Sequence, residues 1–189
     1  MVSLTALWIP IVLSSVIVFV ASSVMHAVLK YHETDIHKLD DEDKVMAVLR
    51  SAGVQRGVYV FPFCKGGSEM KSPEMIEKYK QGPVGFLTVF PSGPPVMPKF
   101  LGQWFGFCLI VSVFVAYLTG HTVAPGTPYL AVFRVAGTAG FLAYGLGHLS
   151  NGIWKGQPWN ATIKEVIDGL IYGLLTAGTF GWLGQNERK

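Results

Sequence analysis

Hydrophobic residues along this chain are collected into four long runs that are separated by polar segments. The runs cover residues 4–29, 101–120, 129–153 and 162–183, and the first two contain no Asp, Glu, Lys or Arg. A helix of about 20 apolar residues is long enough to cross the roughly 30 Å hydrocarbon core of a bilayer. The pattern therefore predicts four transmembrane helices.

The third and fourth runs carry a few charges near their starts. Arg134 lies early in the third run, and Lys164, Glu165 and Asp168 lie at the start of the fourth. Long basic side chains at such positions can extend to the membrane interface, so both runs are still expected to span. The first run is expected to be a retained anchor, because it lacks the basic start and the cleavage motif of a signal peptide.

The polar segment of residues 30–100 has its own pattern of local structure. Residues 40–52 have acidic residues followed by apolar positions at helical spacing, which predicts a helix with one apolar face to bury, and Ser72 has the features of a cap for a second helix. Residues 58–63 and 84–90 are β-prone runs bounded by Gly and Pro, and their pairing is expected. The predicted fold is an all-α integral membrane protein with a small α+β extramembrane insertion between helices 1 and 2.

Three regions follow from this pattern: residues 1–29 as transmembrane helix 1, residues 30–100 as the extramembrane domain, and residues 101–189 as helices 2–4 with short links. Charge is distributed in the same way, because 10 of the 15 basic and 9 of the 12 acidic residues lie between residues 30 and 99. So little charge elsewhere excludes an ordinary soluble enzyme. A net charge of +3 without a basic run also excludes a nucleic-acid-binding protein.

The distribution of basic residues predicts an orientation. With four spans, residues 30–100 and the link of residues 152–160 share one side of the membrane, and they hold most of the lysines and arginines. The other side has Arg188 and Lys189 near the end of the chain. The positive-inside rule therefore predicts a cytoplasmic location for residues 30–100 in a multi-pass protein of the bacterial cytoplasmic membrane.

Small residues recur every four positions in the fourth run and along a similar face of the third. The two rows are, respectively, Gly169, Gly173, Ala177 and Gly181, and Ala136, Gly140, Ala143 and Gly147. Rows of this kind let two membrane helices approach closely and pack. They predict either packing of the third span on the fourth or docking of another membrane protein on this face.

Polar residues inside the runs gather toward one end of the helices. His26 and His148 lie near the ends of the first and third runs, and Lys164, Asp168 and Tyr172 lie near the start of the fourth. An unpaired charge at the bilayer centre costs at least about 2.5–3.5 kcal/mol, so these five residues are candidates for a ligand site. In the alternative interpretation, Lys164 pairs with Asp168 at i, i+4 and each histidine hydrogen-bonds a neighbour.

Metal and haem sites have less support in the sequence. His26, His32 and His37 are spaced by six and five residues, which no regular helix places on one face, so no metal site is expected. His26 and His148 could ligate a haem from two helices, although no further haem signature accompanies them. Haem and quinone are the cofactors that this residue pattern allows.

The chain has no G-x-S-x-G, H-E-x-x-H or P-loop motif, so an enzyme is not expected. The first hypothesis for its function is a non-catalytic accessory or assembly subunit of a larger membrane complex, whose partners are the lipid bilayer and other membrane subunits. The alternative is a protein that binds a small ligand or a redox cofactor, quinone or haem, near His26 and His148. A third hypothesis is a small transporter that acts as an oligomer; four short spans without a discontinuous repeat pair give it little support.

Overall fold

The computed structural model describes residues 2–186 of the chain. Within them, four helices are long and apolar enough to cross a membrane: Leu4–Val28, Met97–Thr122, Tyr129–Lys155 and Trp159–Leu183. The prediction of four such helices is confirmed, and so is the prediction of a small sheet in the polar segment.

The first long helix consists of a 3-10 turn (Leu4–Leu7), α1 (Trp8–Ser23) and a wider π turn (Val24–Val28). A 3-10 turn at Glu33–Asp35 follows. The remaining elements, in chain order, are α2 (Glu42–Ser51), β1 (Gly57–Phe61), α3 (Gly67–Met70), α4 (Pro73–Gln81), β2 (Gly85–Val89), α5 (Met97–Thr122), α6 (Tyr129–Tyr144), a 3-10 turn (Leu146–His148), α7 (Leu149–Lys155) and α8 (Trp159–Asn186).

The chain divides into two compact units. The described part of the larger one, the helical unit, consists of residues 2–36, 96–152 and 157–186, and it contains the long helices apart from residues 153–155 at the end of the third. The small unit consists of residues 37–95 and 153–156 and contains the sheet.

In the helical unit the four helices form a closed ring of contacts. Helix α1 packs on α5 and α8, and α6 packs on the same two helices. Apolar side chains fill the centre, while a cluster of hydroxyls joins α1 to α5: Ser112 Oγ lies 2.9 Å from Ser14 Oγ and 3.0 Å from Ser15 Oγ. Hydroxyl contacts of this kind hold helices together where little water can compete for the hydrogen bonds.

The closest helix contact is between α6 and α8, and glycine makes it possible. A Cβ added to Gly173 of α8 would lie 2.8 Å from the Phe141 backbone nitrogen, and one added to Gly140 would lie 3.1 Å from Gly173 Cα. A Cβ on Gly137 would meet the Ala177 Cβ at 3.0 Å. The small residues of α8 therefore face α6 of the same chain.

The two rows of small residues found in the sequence predict the α8 side of this contact better than the α6 side. Gly169 lies against the backbone of Gly145, and Gly181 lies against the Tyr129 ring. Ala136 and Gly140 are buried, whereas Ala143 is exposed, and so is Gly147, which lies beyond α6 in the 3-10 turn. The contact with α8 includes residues 137, 140 and 141 of α6 and Gly145 just beyond it, so it shares Gly140 with the predicted row.

The third long helix, Tyr129–Lys155, agrees with the span predicted over residues 129–153, but it is not regular α-helix throughout. Helix α6 ends at Tyr144, and a 3-10 turn separates it from α7. Gly145 and Gly147 favour this break, because glycine has a low helix propensity. The break also places the Gly145 backbone against Gly169 of α8.

In the small unit, β1 and β2 pair in an antiparallel manner, with Gly57 opposite Val89. The Ser72 hydroxyl accepts a hydrogen bond from the Met75 backbone N–H at 3.2 Å, so the predicted cap of α4 is confirmed. Helix α2 begins at Glu42, and its preceding residue, Asp41, makes no side-chain cap.

The apolar face of α2 is predicted to be buried, but the structure leaves it exposed. Val45 and Val48 are both exposed, and Leu49 is half-buried. Apolar spacing marks which face a helix can bury, and it carries no information about whether a surface is present to cover that face.

Candidate functional site

An unusual reversal of the chain brings two histidines together at the end of the first long helix. The Leu29 backbone N–H donates to Val24 O, five residues back, at 3.0 Å, so the last turn is wider than an α-helical turn. Lys30 then adopts a φ of +54°, which non-glycine residues rarely do. The chain folds back, and the His32 ring stacks on the His26 ring, with centroids 4.6 Å apart and planes 9° from parallel.

Lys164 of α8 holds this reversal in place through three hydrogen bonds. Its ammonium group donates to Tyr31 O at 2.7 Å, to Thr34 Oγ1 at 2.9 Å and to Asp35 Oδ1 at 2.6 Å. All three of its N–H donors are therefore used. The Lys164 hydrogen bond is the main reason that the pKa of Asp35 lies below its ordinary value; partial burial acts in the opposite direction, and His32 adds to the lowering.

His32, His26 and Asp168 form a cluster beside this turn. His32 Nδ1 donates to Asp35 Oδ2 at 2.7 Å, and His32 Nε2 lies 2.8 Å from Asp168 Oδ2. His26 Nε2 lies 3.8 Å from the same Asp168 oxygen. The Asp168 side chain is only 5% exposed, and its Oδ1 has no hydrogen-bond partner among residues 2–186.

A cavity of about 340 Å³ opens beside the cluster. Its apolar wall is formed by Leu101 and three aromatic residues, Trp104, Tyr144 and Tyr172, and its polar wall is formed by Ser22, Ser23, His26, His148, Glu165 and Asp168.

The aromatic rings of the cavity hold each other in place. The Tyr144 and Tyr172 rings meet edge to face, with centroids 5.8 Å apart. The Trp104 indole N–H donates to Ser22 Oγ at 2.8 Å, which ties the ring to the end of α1. Tyr172 OH is buried and has no hydrogen-bond partner in the described part of the chain. This wall is therefore a fixed apolar surface with one hydroxyl left to make a hydrogen bond.

The structure brings four of the five predicted site residues to one cavity: His26, His148, Asp168 and Tyr172 all line it. His148 lies apart from the histidine cluster, with its Nδ1 3.0 Å from Glu165 Oε2. Lys164 does not line the cavity.

The alternative pairing of Lys164 with Asp168 is not formed. Lys164 contacts Asp35 instead, because the reversal after α1 offers it three oxygen acceptors, and Asp168 contacts His32. An ion pair at i, i+4 stabilises a helix by only a few tenths of a kcal/mol. The three hydrogen bonds that Lys164 makes after α1 stabilise the fold by more, so Lys164 adopts that position.

Several further site residues were not singled out from the sequence as ligand-site candidates, and they include His32, Asp35, Trp104 and Glu165. The spacing of His32 from His26 suggested separate faces of a regular helix, but the chain between them is a π turn and a left-handed residue. Trp104 has the position of an interfacial aromatic residue, and nothing in its sequence context distinguishes a cavity wall from a membrane belt.

Comparison with known proteins adds no family to this description, because no family model, curated protein or solved structure matches the chain. The site has to be interpreted from its own chemistry. It combines an aromatic cavity with a buried carboxylate and two imidazoles, which can bind a flat amphipathic molecule, a proton or a cation.

Proposed function

We propose that this chain is a multi-pass membrane protein that binds a small, flat, lipid-soluble molecule of the quinone class between its helices. The observation that supports this most is the cavity wall of Trp104, Tyr144 and Tyr172, which faces polar groups that include His26 and Asp168. A quinone has the matching properties, because its ring is apolar on both faces and its carbonyl oxygens accept hydrogen bonds.

The dimensions and donors of the cavity suit a ligand of this kind. Its volume of about 340 Å³ lies at the lower end of the roughly 300–1,000 Å³ found for small-molecule sites. Tyr172 OH is a buried donor without a partner in residues 2–186, and a buried donor of this kind is stabilised when a ligand carbonyl accepts its hydrogen. The His148–Glu165 pair supplies polar contacts elsewhere on the wall.

Haem is less well supported than quinone. Ligation of one iron by two histidines needs a ring nitrogen of each histidine to point at the same atom. His26 Nε2 is instead 3.8 Å from Asp168 Oδ2, and His148 Nδ1 is 3.0 Å from Glu165 Oε2. Each histidine thus faces its own carboxylate.

The accessory-subunit hypothesis and the transporter hypothesis stay predictions. The small-residue face of α8 was one of the reasons for the first, together with the small size of the chain and the lack of a catalytic motif, and α6 covers that face within the same chain. The face therefore no longer argues for a partner subunit, while the cavity gives the ligand-binding hypothesis a specific location.

Tryptophan fluorescence tests the ligand. In mild detergent, a short-chain ubiquinone analogue is expected to quench the tryptophan fluorescence of the purified protein, because Trp104 lines the cavity. One component of this quenching should saturate as the analogue fills the site. Trp104→Phe should remove that component. The matched control is Trp182→Phe, which changes a tryptophan that is 69% exposed and should keep the component. Equal, non-saturating quenching of all three proteins would contradict the proposal.

We also propose that the four helices insert with residues 30–100 on the cytoplasmic side of a bacterial inner membrane. The support is the length and apolarity of the helices, together with the larger number of basic residues in that segment and in the 152–160 link.

Cysteine labelling tests this orientation. After replacement of Cys64 and Cys108, Ser68→Cys in the exposed part of the small unit should resist an impermeant thiol reagent in intact spheroplasts and react after lysis. Ala124→Cys, in the exposed link between α5 and α6, should react in both. The opposite labelling pattern would reverse the orientation.

A further inference from the structure

We propose that His26, His32 and Asp168 bind a divalent first-row transition metal at the rim of the cavity. One ligand atom from each of the three residues lies within 4.8 Å of the other two. The inference goes beyond the proposed function, since the metal site would exist whether or not an organic molecule occupies the cavity.

The hydrogen bonds of the two histidines leave the same ring atom of each facing Asp168. His26 Nδ1 is 3.0 Å from the Ser22 backbone carbonyl, which can only accept, so this nitrogen carries the hydrogen. His32 Nδ1 donates to Asp35 Oδ2 in the same way. A neutral imidazole with a hydrogen on Nδ1 has a lone pair on Nε2, the form that binds metals.

The contact between His32 Nε2 and Asp168 Oδ2 calls for positive charge between them. At 2.8 Å, a lone pair facing a carboxylate oxygen would be repelled, so either a proton or a metal ion must lie between the two atoms. The local charges point the same way: Asp35 and Asp168 carry two negative charges and Lys164 carries one positive charge, which leaves an excess of negative charge around a largely buried carboxylate.

Asp168 has further capacity to bind an ion. Its Oδ1 is buried and has no hydrogen-bond partner in residues 2–186, although the side chain is 95% covered. Buried carboxylate oxygens normally have partners, so this oxygen is free to accept a hydrogen bond or to bind a cation.

The distances fit a metal after a small adjustment. Two ligands about 2.1 Å from an ion at a right angle lie about 3.0 Å apart, close to the 2.8 Å between His32 Nε2 and Asp168 Oδ2. His26 Nε2 is farther away, at 3.8 Å, and its stacked ring must tilt to share the ion. It has room to do so because the His26 side chain is 55% exposed.

The surroundings of His32 resemble those of a metal ligand in a folded site. A ligating histidine usually donates its second ring N–H to a carboxylate, which fixes the ring and makes the ligating nitrogen more basic. Asp35 has this role for His32, and Lys164 in turn holds Asp35 at 2.6 Å.

Two imidazoles and one carboxylate favour Fe²⁺, Co²⁺, Ni²⁺, Cu²⁺ or Zn²⁺ over Mg²⁺ and Ca²⁺, which prefer oxygen ligands. Cobalt is a practical probe, because its visible absorption changes when nitrogen ligands replace water. The full-length protein, purified in mild detergent and stripped with a chelator, is expected to bind one equivalent of Co²⁺ with the appearance of visible bands.

Variants separate a true site from surface binding. Asp168→Asn keeps the shape of the side chain and should weaken Co²⁺ binding about 100-fold, and Asp35→Asn should weaken it by about 10- to 100-fold through His32. His121→Gln is the matched control, because His121 is exposed at the far end of α5 and should change nothing. Thermal unfolding of each variant without metal shows whether it is folded.

The result that would overturn the inference is a wild-type protein without visible cobalt bands, or bands that persist at full strength in Asp168→Asn. The first outcome would assign the position between His32 and Asp168 to a proton. Trp104→Phe distinguishes this test from that of the quinone, since it should abolish saturable quenching and leave Co²⁺ binding intact.

Discussion

Substitution of Gly169 by alanine is expected to lower the free energy of unfolding by about 3 kcal/mol, the upper part of the range for overpacking. A Cβ at this position would overlap the Gly145 backbone and lie 2.6 Å from the Tyr144 carbonyl carbon. Backbone atoms cannot rotate away as a side chain can, so α6 and α8 would have to separate. Thermal unfolding in detergent, followed by tryptophan fluorescence, measures the loss.

Gly178→Ala is the control for this prediction, because it lies on the same helix and a Cβ there would have its nearest neighbour, Tyr129 OH, at 3.9 Å. Alanine is a better helix former than glycine by up to about 1 kcal/mol, so this variant should be as stable as the wild type or more stable. If Gly169→Ala and Gly178→Ala unfolded at the same temperature, the close contact between α6 and α8 would be contradicted.

Replacement of Lys164 by methionine is expected to have the second largest effect on stability. Three oxygen acceptors, Tyr31 O, Thr34 Oγ1 and Asp35 Oδ1, would lose their donor together. An unsatisfied backbone carbonyl alone costs about 1–3 kcal/mol when buried, and Tyr31 O is partly buried. The midpoint of thermal unfolding should fall, whereas Lys155→Met, at an exposed position, should leave it almost unchanged.

The same variant should change the response to acid. Because Lys164 lowers the pKa of Asp35 below its ordinary value of 3.8, the ionised carboxylate stabilises the folded state at pH values above 3.8. That contribution is lost as the pH falls through the lowered pKa. In Lys164→Met the main cause of the shift is absent, so the variant should lose less stability than the wild type as the pH falls below about 4. An identical acid response in both proteins would contradict this assignment.

The sequence predicts the long helices well because hydrophobic runs of about 20 residues have few alternatives. It also predicts the start of α4, where Ser72 caps the helix, because capping depends on residues that are close in sequence. Packing is harder. The row of Gly169, Gly173 and Ala177 shows which face of α8 is bare, but not which line of positions on α6 will meet it.

The candidate site illustrates a second limit. His26, His148, Asp168 and Tyr172 could be selected because polar residues in apolar runs are few. His32 could not, since its approach to His26 depends on a π turn and on the left-handed conformation of Lys30, for which lysine carries no sequence signal. Asp35 is found only after the contact with Lys164 is known, because the two residues are 129 positions apart.

The separation between His32 and Asp168 has a consequence for synthesis of the protein. The two residues are 136 positions apart, so His32 leaves the ribosome long before Asp168 is added to the chain. During translation, the reversal after α1 has neither Asp168 nor Lys164 to contact until α8 has been made and has packed on α1. If the cluster binds a metal as proposed above, binding requires that the first and last long helices have met, and it would therefore indicate that the helical unit is fully assembled.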